Sequence, residues 1–183
     1  MADAVSARGH RICVVGDDEE SKKAKTDYAC AGERHYEDAS YLHRDGRQLN
    51  ADHLFGLAVE CLLKALLLRF GGTNNVSMTG RGGTETERLW WDDPAESNDK
   101  KKRKMLGHIN EMRQALPLLV GGRPGPALTE ALTRVSEDFE EWRAEERYTD
   151  GTHLDLGLLA RRREAATLAH ELHVHVQFTG KLP

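Results

Sequence analysis

A chain of 183 residues, 39% hydrophobic and 31% charged, has room for one well-buried domain and little for two. A formal net charge of −4 gives no overall attraction to nucleic acid, so nucleic acid as a partner stays open only through a local patch. Aromatic residues make up only 6%, and abundant Ala, Leu, Glu and Arg favour helices over sheets.

Residues 1–20 read as a flexible tail, with no apolar run long enough for a signal peptide. The piece RICVVGD within it has one glycine and lacks G-x-G-x-x-G, which argues against a nucleotide-binding turn. Cys13, Cys30 and Cys61 are odd in number and far apart, which fits reduced thiols in a cytoplasmic protein. No run reaches the roughly 18 apolar residues of a membrane span, so no membrane partner is expected.

The spacing of Ala24, Tyr28, Ala31, His35, Ala39 and Leu42 predicts a helix from Ser21 to about His43, closed by the turn Asp45-Gly46. A second helix runs from an Asn50 cap to Gly71-Gly72, apolar on nearly every side. Residues 71–104 break the pattern and read as a loop insertion, with Trp90-Trp91 docking it onto the helices. Leu106, Ile109, Met112 and Leu116 form a short helix closed by Pro117. Pro126 opens the next helix, whose apolar face carries Leu128, Leu132, Val135, Phe139 and Trp142 and which ends around Arg147–Gly151. Thr152 and Asp155 make a capping signal for a last helix that buries Leu156, Leu159, Ala166, Ala169, Leu172 and Val176. The expected fold is all-α: an up-and-down helical bundle of four long helices plus a short helix, one domain over 21–183, with the 71–104 insertion after the second helix.

Inside the second helix, His53, Glu60 and Lys64 fall within about 40° of one another at 100° per residue. Glu60 and Lys64, at i and i+4, are an ordinary helical ion pair if exposed. If the helix is central, third parties must satisfy them, and His108, Arg147 and Tyr148 are the natural ones. Such a cluster either fixes helix alignment or holds a phosphate or base. His170, His173 and His175 lack a third convergent ligand and read as surface or interface histidines; no metal and no cofactor are expected. The basic run Lys100–Lys104 is preceded by Asp92, Asp93, Glu96 and Asp99, which offset it, so it reads as a solvated loop.

The chain resembles the HEPN family, the helical domains named for higher eukaryotes and prokaryotes nucleotide-binding. Leu57–Leu67 looks like its A-E-x-x-L-K-A-L helix, Gly107–Met112 like its H-x-L segment, and Arg147-Tyr148 like its R-Y motif, in the family's order. The resemblance covers roughly residues 22–178 and implies a helical bundle that is often a homodimer. It also implies a non-catalytic module binding a nucleotide or a partner such as a nucleotidyltransferase, with His53, Glu60, Lys64, His108, Arg147 and Tyr148 as the binding residues. The competing implication is a metal-independent ribonuclease of toxin or defence type, built on an Arg and a His four to six residues apart. Arg47/His53, Arg103/His108, Arg147/His153 and Arg163/His170 have that gap, little more than chance placement provides, and none has Asn directly after the Arg. A third reading is an interaction protein whose polar cluster is purely structural.

Overall fold

The computed structural model describes residues 26–70, 76–80, 85–93, 95–98, 102–112, 115–116, 126–152 and 154–183. The expected tail, the start of the first predicted helix, Gly71-Gly72, Pro117 and His153 lie outside these residues.

Asp27 caps α1 (Tyr28–Arg44) by accepting the Cys30 amide at 3.0 Å, which satisfies one of the free donors of the first turn. The predicted turn follows, with Gly46 at φ +78. α2 (Gln48–Phe70) then starts earlier than expected, because the Ala51 amide already bonds the Arg47 carbonyl at 3.0 Å. Asn50 is therefore inside the first turn and is no cap. α1 and α2 run antiparallel and very close: a Cβ at Gly32 would lie 2.7 Å from the Leu62 side chain. This approach needs glycine.

α2 is the centre of the molecule. Ala51, Phe55, Ala58, Val59, Leu62, Leu63, Leu66 and Leu67 are all at most 1% exposed, and they point to several sides of the helix. Around it pack α1, the last long helix, a 3₁₀ turn and the small elements between. Most of its apolar side chains are thus buried within the chain.

The insertion is not a loop, and the all-α expectation fails there. β1 (Val76–Thr79), β2 (Glu85–Asp92) and β3 (Arg103–Met105) form an antiparallel sheet in that order, with a register shift between Ser77 and Thr79. Leu89 and Trp91 alternate inward and are buried, while Trp90 between them is half-buried. Trp91 therefore docks the sheet, as expected of the Trp pair. Arg103 ties all three strands: it donates to Asp92 at 3.2 Å, to the Thr79 carbonyl at 2.7 Å and to the Ser77 hydroxyl. Lys104 meets Asp93 at 2.6 Å. Arg103 and Lys104 of the basic run are thus paired with two of the acids that precede it.

α3 (Ile109–Met112) follows, with Leu106, Ile109, Met112 and Leu116 buried as the spacing predicts. α4 (Pro126–Asp138) begins at the expected proline but ends at Asp138, nine residues short of Arg147. Beyond it the chain folds back, because Trp142 fills the space beside Gly56, where a Cβ would come within 2.0 Å of the indole. Phe139 and Trp142 are buried beyond the helix end rather than on it. A 3₁₀ turn (Ala144–Tyr148) then leads to α5 (Leu156–Thr179). Asp155, not Thr152, caps α5, accepting the Leu158 amide at 2.6 Å. The expected face of α5 is buried apart from Leu156, which is 66% exposed; Arg162 and His173 join that face. No described helix is long and apolar enough to cross a membrane.

Candidate functional site

Glu60 and Lys64 sit one turn apart on α2, and the helix spacing alone brings Lys64 Nζ to 2.7 Å from Glu60 Oε1. Both residues are 7% exposed. The other carboxylate oxygen lies 3.0 Å from His108 Nδ1, delivered by the loop between β3 and α3. Lys64 also lies 5.6 Å from the centre of the Tyr28 ring. Buried charges thus have local partners, and the cluster closes on itself.

Arg147 and Tyr148 do not join it. The Arg147 guanidinium donates to the Tyr148 hydroxyl at 2.7 Å and lies 4.6 Å from its ring centre. Tyr148 is 76% exposed. Because α4 stops at Asp138, the 3₁₀ turn meets α2 beside His53, roughly 10 Å of helix rise before Glu60. The expected six-residue cluster is therefore two: Glu60, Lys64 and His108 in one place, His53, Arg147 and Tyr148 in another.

In the second place, the His53 ring stacks on Trp142 with centroids 5.7 Å apart, and its buried Nδ1 finds no hydrogen-bond partner among the described residues. Burial first, then the charges of Arg147 and His35, hold its pKa below the ordinary histidine value. A cavity of about 60 Å³ lies here, lined by Asn50, Asp52, His53, Glu146, Arg147 and Thr149 among others. Neutral imidazole beside a guanidinium is an acid–base and anion-stabilising pair in miniature. The space is small for a ligand, against roughly 300–1,000 Å³ for a typical site.

Two networks escaped the sequence reading. Arg162 Nη1 meets Asp52 at 2.6 Å and Glu146 at 3.6 Å, while its Nε donates to the Asp138 carbonyl at 3.0 Å. A signal existed: Arg162 lies three residues after Leu159 and four before Ala166, on the buried face of α5. It was hidden inside the run Arg161–Arg163. In the other network Gln177 Nε2 lies 2.8 Å from both Glu33 and His173. Burial pushes the Glu33 carboxyl up, but the hydrogen bond and charge of His173, then Gln177, bring it below the usual carboxylate range. His173 is 4% exposed and so is no surface group, while the half-buried His170 stacks on Tyr36 at 4.2 Å. No group of three metal-ligating side chains occurs among the described residues.

Cys30 is disulfide-bonded and Cys61 is free, which overturns the expectation of three reduced thiols. Burial pushes the Cys61 thiol up to about 11, far from a nucleophile's range.

No family model, curated protein or solved structure matches the chain.

Proposed function

We propose that the chain is a HEPN-like, non-catalytic binding module, an up-and-down helical bundle that docks a partner protein on the face carrying Arg147 and Tyr148. One observation carries this reading. Tyr148 is 76% exposed yet held in place by its hydrogen bond and cation–π contact with Arg147. An ordered, exposed aromatic–Arg pair is the kind of anchor that dominates protein interfaces. Leu49, 42% exposed, lines the adjoining cavity with Arg147 and extends the patch. The resemblance supplies the partner class, a nucleotidyltransferase. A homodimer rests on the resemblance alone, since the apolar residues of α2 are buried within the chain. A cytoplasmic location goes with this reading; the Cys30 disulfide is the observation against it.

The test is calorimetric titration with a nucleotidyltransferase, should one be encoded beside this chain. Binding weakened about thirtyfold or more by Tyr148→Ala supports the docking face, in line with about 2 kcal/mol for a hot-spot residue. Unchanged affinity in that variant, or no complex, overturns it.

A ribonuclease is the second reading, favoured by the neutral His53 beside Arg147. There His53 would take the proton of a 2′-hydroxyl as its oxygen bonds to phosphorus, Arg147 would stabilise the phosphorane charge, and the 5′-oxygen would leave as its bond to phosphorus breaks, taking a proton from water. Metal-independent RNA cleavage lost in both His53→Ala and Arg147→Ala would replace the first reading with this one.

A further inference from the structure

An open groove of about 620 Å³ runs between α1, α4 and α5, and neither Arg147, Tyr148 nor any other residue of the expected six-residue cluster lines it. Its volume is that of a small-molecule site. Three arginines reach it, from three helices. Arg134 is committed, its guanidinium 3.3 Å from Glu164 and 3.7 Å from Glu130. Arg44 and Arg163 line the same groove and make no ion pair or hydrogen bond through their guanidinium groups among the described residues.

The wall between them is ordered. Tyr36 stacks on His170 at 4.2 Å, and its hydroxyl lies 3.0 Å from Thr167 Oγ1. That Thr167 oxygen donates its own proton to the Arg163 carbonyl at 2.9 Å, so Tyr36 must be the donor to Thr167. The phenol oxygen keeps its acceptor capacity. Leu168 adds an apolar surface, and Glu171 a carboxylate with no ion pair among the described residues.

We infer that this groove binds a small phosphomonoester: the phosphate between Arg44 and Arg163, and a neutral, hydroxyl-bearing body against Tyr36 and Leu168 with its donors toward Glu171. Two free guanidiniums match a phosphate's several acceptor oxygens in a way one ammonium cannot. The carboxylates of Glu130, Glu164 and Glu171 select against a polyanion, because charge spread along an RNA or an acidic peptide would meet them. Charge concentrated at one end of the ligand avoids that repulsion.

The experiment titrates the full chain, by calorimetry at near-physiological salt, with ribose 5-phosphate, adenosine 5′-monophosphate, inorganic phosphate, ribose and an oligoribonucleotide. Arg44 and Arg163 are exposed, so Arg44→Ala and Arg163→Ala leave the helices intact, which circular dichroism checks. The expected result is binding of at least one phosphomonoester, absent for ribose, and weakened about tenfold or more by each variant. Arg163→Lys should not restore it. No binding of either ester at millimolar concentration overturns the inference, as does binding that is indifferent to both variants. Inorganic phosphate bound as tightly as the esters, or the oligoribonucleotide bound more tightly with the same arginine dependence, overturns it too. Loss of the docking face in Tyr148→Ala touches none of these outcomes.

Discussion

Arg162 of α5 holds Asp52 of α2 at 2.6 Å, with the two side chains only 3% and 5% exposed. The same guanidinium reaches Glu146 on the 3₁₀ turn and the carbonyl of Asp138, the last residue of α4. One side chain therefore joins four pieces of the fold at the place where α4 ends early.

Removing that cation takes from buried Asp52 the charged partner it meets at 2.6 Å. Arg162→Met is expected to destabilise the chain by about 3–5 kcal/mol. Adding Asp52→Asn should recover part of the loss, since the buried charge goes with it. Urea unfolding of wild type, both single variants and the double variant reads this; four equal midpoints would show the pair to be energetically idle.

The Glu60 cluster should behave asymmetrically. Lys64→Met strips Glu60 of its buried partner and should cost about 1–3 kcal/mol. His108→Ala should cost less, because the imidazole side chain is 50% exposed and Lys64 still neutralises Glu60. A larger loss for His108→Ala than for Lys64→Met would contradict the closed ion pair and point to a role for His108 beyond it.

Protonation of His53 gives a pH signature. Burial, Arg147 and His35 hold its folded pKa below the ordinary 6.5, so the unfolded chain takes up the proton first as pH falls. The stability this group confers is complete above that value and is lost as pH drops through its lower folded pKa. His35 is shifted the same way, by burial and then by Arg34. Glu33 also has a lowered pKa, but it acts below the ordinary carboxylate value and leaves this window untouched. Urea midpoints should fall between about pH 7.5 and about pH 5.5, and His53→Gln should flatten the fall. An identical slope in the variant would remove His53 from the account.

Thiol chemistry separates the cysteines. With Cys30 oxidised and Cys61 free, reagent added to the unreduced, denatured chain should find one thiol, and three after reduction. In the native state Cys61 should react slowly, its pKa being about 11. Three thiols without reduction would restore the reading of a reduced protein.

What the residues determined by themselves was periodic. The apolar run of α2, the α5 face from Leu159 to Val176, the Asp45-Gly46 turn and Pro126 at the start of α4 are local patterns, and local geometry decides them. The i, i+4 pairing of Glu60 with Lys64 belongs there too. Tertiary structure decided where the pattern had to yield. Glu85–Asp92 became a strand because Leu89 and Trp91 could bury one face against the helices. The amphipathic pattern past Asp138 gave way once Trp142 could settle against Gly56, which a side chain there would prevent. That one packing choice moved Arg147 from Glu60 to His53, and it lay outside any spacing rule. Arg44 and Arg163 are more than a hundred residues apart in sequence, and only the antiparallel packing of α1 on α5 brings them to one groove.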